Sequence, residues 1–407
     1  MGDGMRLRPG RIGDFPAICD LLGYVFHEEI AGEVKELEAE VWEVERSLVA
    51  DDHGVIAGHA VAYSRELTVP GAVLPAAHIS CVGVLPTHRR RGLLTALMHR
   101  QLGEIAEAGR EPIAVLWASE SAIYPRFGYG PAAARLKFDI LNREVRLTAP
   151  PAEPAGRLRM GDPAALLTDI SKLYDQVRAD RVGWSGRDDR WWRYVLRDPK
   201  DLRDGATKRY AVVHDGPGGP TGYAIWRAKE RWNHHGPDAE VQVREVAAVD
   251  PETYRALWRF LLGIDLSRSV TYTLGAVDEP LQYLVDEPRR LGGTVSDALF
   301  IRLVDLPAAL AGRRYRTAVD VVLEVDDPIL PANTGRWRLT GGPEGATCSR
   351  TGEPADLACS VTDLGAAYLG GTSLAALAAA GRVRQLTAND PNAAFGWHRA
   401  PSATEVF

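Results

Sequence analysis

The chain has 407 residues, of which 45% are hydrophobic and 25% charged, and its formal net charge is −6. At about 150 residues per domain this length predicts two or three domains, and the composition excludes disordered, fibrous and low-complexity proteins. No apolar run reaches the ~18 residues of a membrane span, and residues 1–11 lack the apolar core of a signal peptide. The acidic balance argues against nucleic acid as a partner. Four scattered cysteines fit a reducing cytoplasm and form no pair of metal ligands.

Residues 28–45 contain eight glutamates and one lysine. Apolar residues recur there at helical spacing from Ile30 to Leu48, which predicts one amphipathic helix. Beside the apolar face the glutamates form a stripe, at Glu29, Glu33, Glu36, Glu40 and Glu43. Such a stripe is usually a solvated helix surface, although an anionic wall also concentrates polycations.

A strand–strand–helix–strand unit is predicted in the first 150 residues. Apolar runs give strands over residues 55–63, 76–85 and 113–118, and leucine spacing gives a helix from Leu93 to about residue 102. A linker is predicted over residues 146–162, which hold few apolar side chains but contain Pro150, Pro151, Pro154 and Gly156.

The next segment repeats this order of elements, which suggests a duplicated α/β domain. Its predicted strands cover residues 210–213, 222–227, 241–249 and 270–274, with a helix over 254–262. A weaker boundary lies near Gly292-Gly293. The chain therefore divides into residues 1–150, 155–297 and 298–407.

The last segment predicts an α+β unit. Strand-like runs over residues 319–325, 337–339 and 356–361 precede two short helices. We expect Asp363 to cap the first helix and Thr372 or Ser373 to cap the second.

A turn with three consecutive arginines carries the strongest chemical signal. A strand runs into Pro86, the turn contains Arg89, Arg90 and Arg91, and Gly92 opens a helix. A helix N-terminus offers free N–H groups to phosphate oxygens, glycine lets a pyrophosphate approach the backbone, and arginines add charged donors. The alternative is a basic surface turn, but the strand–turn–helix context with glycine at the helix start favours phosphate binding.

The turn resembles the signature of the GNAT N-acetyltransferases, Arg/Gln-x-x-Gly-x-Gly/Ala, which is Arg-Arg-Arg-Gly-Leu-Leu at 89–94 here. Longer strings, Pro-Thr-His-Arg-Arg-Arg-Gly-Leu-Leu at 86–94, Ala-Ser-Glu at 118–120 and Ile-Tyr-x-Arg-Phe-Gly-Tyr-Gly at 123–130, resemble the Eis (enhanced intracellular survival) group of this superfamily. Leucine is usual in that group where the superfamily has the final Gly/Ala.

The resemblance implies a mixed α/β fold of two tandem GNAT-type domains followed by a sterol-carrier-protein-like domain. Residues 1–150 would be the catalytic domain with its acetyl-CoA site, and residues 155–297 a degenerate copy. Residues 298–407 would supply a C-terminal carboxylate. The resemblance also implies a homohexamer, acetyl-CoA as co-substrate, and no metal.

Site residues follow from the same resemblance. Tyr124 would protonate the departing thiolate, and the α-carboxylate of Phe407 would accept the proton of the amine. This chain has Val406 where mycobacterial members have glutamate before the terminal phenylalanine. The residues expected at the cofactor are Val82, Gly83, Val84, Arg89, Arg90, Arg91, Gly92, Leu93, Leu94, Thr95, Ser119 and Glu120.

Candidates for the amine pocket are Glu28, Trp42, Ser80 and Trp117. Trp117 stands where mycobacterial members have histidine, and Cys81 where they have phenylalanine. The pocket is therefore altered, and the substrate range need not carry over.

The echoed turn in the second segment reads Val-Asp-Pro-Glu-Thr-Tyr at 249–254. An acidic turn repels a pyrophosphate, so we predict one acetyl-CoA per chain.

The leading hypothesis is an N-acetyltransferase that acts by direct transfer on amines of cationic small molecules such as aminoglycosides. A protein lysine or a polyamine is an alternative acceptor, and a non-catalytic carrier of an apolar ligand is an alternative class. The retained arginine turn and Tyr124 argue against the carrier. The sequence leaves the physiological acceptor open.

Overall fold

The computed structural model describes residues 5–30, 32–148 and 156–407, so Pro150, Pro151 and Pro154 of the predicted linker lie outside the described residues. The elements up to residue 148 are β1 Met5–Pro9, α1 Phe15–Phe26, α2 Gly32–Val41, β2 Ser47–Asp52, β3 Val55–Val69, β4 Ala72–Val84, α3 Leu93–Ala108, β5 Ile113–Trp117, β6 Gly130–Pro131 and β7 Ala134–Leu141.

From residue 156 the elements are β8 Arg157–Gly161, α4 Leu167–Arg178, α5 Asp189–Leu196, β9 Tyr210–Gly216, β10 Gly219–Lys229, β11 Trp232–Asn233, β12 Gly236–Pro237, β13 Ala239–Ala248, α6 Pro251–Leu262, β14 Ser267–Gly275, β15 Thr294–Asp297 and β16 Leu299–Leu303. The last part has α7 Leu306–Gly312, β17 Val319–Asp326, β18 Gly335–Gly342, β19 Gly345–Arg350, β20 Leu357–Ser360, α8 Val361–Ala367, α9 Leu374–Ala379, β21 Arg384–Gln385 and α10 Asn392–Phe395.

The first sheet has the strand order β1-β2-β3-β4-β5-β16-β6. Helices cover both of its faces. Since neighbouring residues of a strand point to opposite sides of the sheet, one strand can contact helices on both faces. Val49 of β2 packs with Ile18 and Leu21 of α1, whereas the next residue, Ala50, packs with Leu93 of α3. The sheet thus separates α1 from α3.

The acidic helix is shorter than the sequence predicts. Helix α2 ends at Val41, a 3-10 turn covers Val44–Arg46, and Leu48 lies in β2. The prediction of one helix through Leu48 is therefore wrong: the chain turns after Val41 and enters the sheet, where Leu48 is buried. The spacing of apolar residues every three or four positions continues by coincidence beyond the end of the helix, into strand β2.

The second sheet has the order β15-β7-β14-β13-β10-β9-β8. Strands β13 and β14 are parallel and antiparallel neighbours flank them, which is the arrangement of β4 and β5 in the first sheet. Helix α6 packs on one side through Leu257 and Trp258. Helix α4 packs in a separate cluster through Ile170 and Leu173.

Two strands cross the borders predicted at residues 150 and 298. Strand β7 leaves the first domain and pairs with β14 and β15 in the second sheet. Strand β16, which comes after the second domain, pairs with β5 in the first sheet. Each sheet is therefore completed by a strand from the other side of a border.

The third unit is a sheet of order β19-β18-β17-β20-β21 with short helices. Its apolar core is continuous with the first sheet, since Leu323 and Phe395 belong to the same cluster as Ile113 and Ile301. Ser360, not Asp363, caps α8, because its hydroxyl accepts from the Asp363 N–H, while Ser373 caps α9.

The second domain docks along β3 of the first. Backbone hydrogen bonds join Thr68 to Trp184 and Gly183, and Gly186 to Glu66. This contact brings α5 beside α2 and places parts of both domains next to the cavities described below. Among the described residues no helix is both long and apolar enough to cross a membrane.

Candidate active site

A bulge in β4 opens the first sheet. Cys81 has a left-handed backbone with φ of 51°, and the register between β3 and β4 shifts at this point, between His59 and Val61. Beyond it β4 no longer pairs with β5, whose parallel pairing ends at Ile79. The separating strands leave backbone groups of β4 free along a groove.

His59 holds this bulge in place. Its Nδ1 lies 2.8 Å from the Cys81 carbonyl oxygen and its Nε2 2.8 Å from the Ser47 hydroxyl. Burial lowers the pKa of His59 to about 4, so the ring is neutral at pH 7. Since a carbonyl only accepts, Nδ1 carries the proton and donates it to Cys81.

The groove is a cavity of about 590 Å³ between the separated strands and the start of α3. All the predicted cofactor residues except Arg91 line it: Val82, Gly83, Val84, Arg89, Arg90, Gly92, Leu93, Leu94, Thr95, Ser119 and Glu120. Residues that the sequence analysis did not assign also line it, notably Val25 and Phe26 of α1 and His88.

The turn before α3 leaves the first amides of the helix open to the groove. Arg90 and Gly92 have φ of 61° and 80°, and no side chain of the described residues caps the helix at Gly92. The first-turn amides therefore point into the groove with the positive end of the helix dipole. Arg89 and Arg90 add cationic side chains to the same wall.

Arg91 is the exception among the predicted cofactor residues. Its guanidinium lies 3.9 Å from the Asp52 carboxylate, which also contacts His88 at 3.1 Å. In a turn that reverses direction, consecutive side chains diverge, so three arginines in sequence do not share one face. The structure thus corrects the assignment of Arg91 to the groove.

A second cavity of about 560 Å³ adjoins the first. The two share Phe26, Val82, Ser119 and Tyr124. The predicted residues Glu28, Ser80, Trp117 and Phe407 line this second cavity, together with Cys81. Tyr124 is therefore placed at the junction between the two cavities.

Trp42 lies outside both linings. Because α2 ends at Val41, Trp42 turns toward α1 and packs on Phe15 with ring centroids 5.0 Å apart. The structure corrects its assignment to the pocket wall. In the same region the structure instead brings Glu38 to the cavity.

Glu38 is held by side chains of the second domain. The Tyr194 hydroxyl donates to its Oε1 at 2.9 Å, and the Arg197 guanidinium lies 3.7 Å away. Burial raises the pKa of Glu38, against the opposing effect of Arg197. Its spacing from Val34 and Val41 places it on the buried face of α2, which is a signal that the sequence contained. Tyr194 and Arg197 are distant in the chain and carried no such signal.

Tyr124 begins the turn that carries the Phe-Gly-Tyr-Gly string. A 3-10 turn covers Pro125–Phe127, and Gly128 follows with φ of 82°. The Tyr124 and Tyr129 rings meet edge to face at 6.1 Å. Burial raises the pKa of Tyr124 to about 12, so its hydroxyl keeps its proton at neutral pH.

The end of the chain enters the second cavity. Residues 401–405 are buried, and the Phe407 ring packs on His78 with ring centroids 4.7 Å apart. Val406 is 55% exposed. The structure thus places Phe407 and Tyr124 on the walls of one cavity.

The second domain differs at the turn that corresponds to Gly92. Asp250 caps α6, and its carboxylate accepts from the Thr253 N–H at 2.8 Å. One turn on, the buried Tyr254 hydroxyl donates to Glu279. The helix start that has no side-chain cap in the first domain is capped by a carboxylate here. In the part of the chain that the structure describes, no group of three or more His, Cys, Asp or Glu side chains could hold a metal ion.

Comparison with known proteins agrees with this arrangement. Residues 6–132 and 183–303 each match an acetyltransferase (GNAT) domain, and residues 306–403 match a sterol carrier protein domain. An uncharacterized N-acetyltransferase of Streptomyces avermitilis is 46% identical over 357 residues, which cover 88% of this chain and 87% of that protein.

Two mycobacterial proteins extend the comparison. N-acetyltransferase Eis of Mycobacterium tuberculosis is 33% identical over 393 residues, which cover 91% of each chain. The crystal structure of Eis1 from Mycobacterium abscessus is 32% identical, covers 100% of both chains and has a TM-score of 0.84.

The two GNAT domains and the groove with its open helix terminus define an N-acetyltransferase of the GNAT class, and these domains imply the use of acetyl-CoA. The chain belongs to the Eis family of these enzymes. The predicted fold class, two GNAT domains followed by a sterol-carrier-protein-like domain, is confirmed.

Proposed function

We propose that this enzyme transfers the acetyl group of acetyl-CoA directly to an amine of a cationic small molecule, of which the aminoglycosides are the family's best-known example. One observation carries the proposal: two cavities meet at Tyr124, one lined by the arginine turn and the other by carboxylates and Phe407. Donor and acceptor then bind on either side of one junction, which suits a ternary complex.

The groove would hold acetyl-CoA through the backbone. The pyrophosphate binds the first-turn amides of α3 with Arg89 and Arg90, and the pantetheine arm runs along Val82 and Val84 beyond the bulge. One acetyl-CoA per chain follows, since the Asp250 cap of the second domain occupies a first-turn amide and repels phosphate.

The transfer needs a neutral amine, hydrogen-bond donors at the thioester carbonyl oxygen and a proton for the leaving sulfur. The Phe407 carboxylate accepts the amine's proton, directly or through water. The neutral nitrogen attacks the thioester carbonyl carbon, the C–S bond breaks, and the Tyr124 hydroxyl gives its proton to the leaving thiolate. The proton that the newly acetylated nitrogen then loses restores the Tyr124 hydroxyl. A tyrosine whose pKa is raised to about 12 is a donor at neutral pH and not a base.

Direct transfer is supported by the state of the nearest thiol. Cys81 lines the acceptor cavity, but burial raises its pKa to about 12. A thiol that keeps its proton is a poor nucleophile. Cys81 is therefore not activated to carry the acetyl group as a covalent intermediate.

The acceptor cavity favours a cationic amine. Glu28, Glu29 and Glu38 line it along with Phe407, and Arg135 and Arg197 are also among its lining residues. Carboxylates around a concave site raise the local concentration of a polycation. A protein lysine or a polyamine carries the same charge and is the alternative acceptor.

A carrier role for the third domain has less support. The guanidinium of Arg313 lies buried in its core and donates to the carbonyl oxygens of Tyr368 and Phe395. Tyr315, Tyr368 and Phe395 surround this charge. A charged side chain in this position is a poor lining for an apolar ligand.

A thiol-release assay tests the proposal. Acetyl-CoA is offered with a panel of aminoglycosides, polyamines and lysine peptides to the wild type, to Tyr124→Phe and to a chain lacking Phe407. We expect turnover with the cationic small molecules and a loss in both variants. Intact coenzyme A binding without turnover on any amine contradicts the proposal, and turnover confined to lysine peptides selects the alternative.

The setting of the reaction belongs to the same proposal. We propose a homohexamer in the cytoplasm that works without a metal ion. Light scattering measures the mass of the assembly, and EDTA leaves the rate unchanged if no metal takes part. A monomeric mass or a loss of activity in EDTA contradicts the corresponding part.

A further inference from the structure

The last residues of the chain are threaded between the first two domains. Ser402 donates its N–H to the Val182 carbonyl at 3.0 Å and accepts from the Trp184 indole at 3.2 Å. Arg244 donates to the Thr404 carbonyl at 2.8 Å. Groups of the second domain therefore hold a segment whose end lies in the cavity of the first.

Glu405 closes this contact with a buried pair of arginines. Its carboxylate accepts from Arg65 of the first domain at 2.5 Å and from Arg187 of the second at 2.7 Å. Arg187 also makes two bonds to Glu245, at 3.1 and 2.7 Å. These four side chains are at most 3% exposed, so their charges are compensated by buried partners and not by water. Arg244 adds a further positive charge near both carboxylates.

The second-domain residues next to Glu405 lie at a point of the sheet that has a counterpart in the first domain. Arg244 and Glu245 lie at the bulge of β13, where the register with β10 shifts between Ile225 and Trp226. Cys81 marks the corresponding bulge of β4 in the first domain. The first domain turns its bulge toward the acceptor cavity, and the second turns it toward the tail.

The geometry limits how far the terminal carboxylate can move. An extended chain spans at most about 3.6 Å per residue, and Glu405 is two residues from the end. Removing one member of a buried charged set leaves its partner uncompensated, so the segment has one favoured register. A shift of one residue would separate Glu405 from both arginines.

We propose that Glu405, Arg65 and Arg187 are positioning residues that fix the Phe407 carboxylate in the acceptor cavity, and that the second domain serves catalysis as the receptor of this tail. The inference rests on the proposed role of Phe407. It gives the degenerate domain a task that does not involve coenzyme A.

A coupling experiment tests the inference with four forms of the full chain: wild type, Glu405→Gln, the chain lacking Phe407, and the double variant. We expect loss of Phe407 to lower kcat about 100-fold, within the range of a general base. Glu405→Gln should lower kcat at least 10-fold, since small displacements of a reacting group are costly. In the chain lacking Phe407, Glu405→Gln should change kcat no further.

Other readouts separate positioning from a general loss of structure. KM for acetyl-CoA should stay unchanged in Glu405→Gln, and Glu405→Asp should recover part of kcat. Glu111→Gln is the matched control, because Glu111 is a buried carboxylate that accepts from Arg46 at 2.6 Å and lines neither cavity. It should lower the melting temperature without changing kcat.

Arg65→Gln provides a second route if Glu405→Gln does not fold, because Glu405 then keeps its pairing with Arg187. Two results overturn the inference: an unchanged kcat in Glu405→Gln although loss of Phe407 is harmful, or an equal loss in both backgrounds. A chain that lacks Phe407 and keeps full activity contradicts the proposed function itself, which is a different outcome.

Discussion

The hydroxyl of Tyr194 donates to the carboxylate of Glu38 at 2.9 Å, across the contact between the first two domains. Each residue comes from a helix of its own domain, α5 and α2, and both line the acceptor cavity. The wall of this cavity is thus shared between the two GNAT domains.

Glu38→Gln should weaken binding of the acceptor amine more than it slows acetyl transfer. A lost charged hydrogen bond is typically worth about 1.5–3 kcal/mol, so we expect KM for a cationic amine to rise at least 10-fold with little change in kcat. Steady-state kinetics measure both. Glu36→Gln is the control, since Glu36 is exposed on the same helix and should leave KM as it is; equal effects would contradict the assignment.

Tyr124→Phe should lower kcat by about 100-fold, because the donor to the leaving sulfur is removed. Coenzyme A affinity should not change, which calorimetry can measure. Tyr129→Phe is a matched control: its ring meets Tyr124 edge to face but lines neither cavity. If Tyr129→Phe slows the reaction as much as Tyr124→Phe, the turn matters for packing and Tyr124 is not the donor.

The arginine turn offers neighbouring residues with different expected effects. Arg90→Gln should raise the Kd of coenzyme A about 10-fold and flatten its dependence on salt, since Arg90 lines the groove. Arg91→Gln should leave Kd nearly unchanged, since Arg91 is directed to Asp52. Isothermal titration at two salt concentrations separates them. A larger effect at Arg91 would restore the assignment that the structure corrects.

Stability should fall when the pH drops below neutral. Burial lowers the pKa of His59 to about 4 and that of His78 to about 3, against about 6.5 in an unfolded chain. The neutral rings therefore stabilise the fold fully above pH ~6.5, and this is lost as the pH falls toward the folded values. Each ring contributes about 1.4 kcal/mol per pH unit to the slope.

Urea unfolding at pH 7, 6 and 5 measures that slope. His59→Gln should reduce it, and His235→Gln should not, because His235 is exposed. Glu405 affects the free energy of unfolding at lower pH than the two histidines do. Burial would raise its pKa, but Arg187 and Arg65 outweigh burial and lower the pKa to about 2, so its contribution is lost as the pH falls from about 4.5 toward 2. A free energy of unfolding that does not change between pH 7 and 5 would contradict the role of the two histidines.

Local patterns predicted the strand, turn and helix that line the first cavity, and the binding of a cofactor there stays a prediction. The proposed phosphate contacts of Arg89, Arg90 and Gly92 depend on a strand, a turn and a helix that are adjacent in the chain, so a short string contains the whole arrangement. Arg91 is the local exception, because the direction of one side chain in a tight turn depends on backbone angles that the string does not reveal.

The acceptor side was less accessible to sequence analysis. Tyr194 reaches Glu38 of the first domain, and Arg187 reaches Glu405 near the end of the chain, only through the docking of the second domain on β3, which no periodicity encodes. The prediction of one helix through Leu48 was wrong because apolar spacing cannot distinguish a continuing helix from a helix followed by a strand. Trp42, which the resemblance alone assigned to the pocket, follows the end of that helix. Strands β7 and β16 look alike in sequence whichever sheet they join, so the borders near residues 150 and 298 could not be placed by composition alone.

The exchange of strands between the two sheets determines when each sheet can be completed during synthesis of the chain. Strand β5 ends at Trp117, but its partner β16 ends at Leu303, so a ribosome adding about 5–20 residues per second needs roughly 10–40 s to supply it. During that time the edge of β5 has no partner from its own sheet, and an open edge pairs readily with other strands. The catalytic sheet is therefore among the first parts to be made and among the last to be closed.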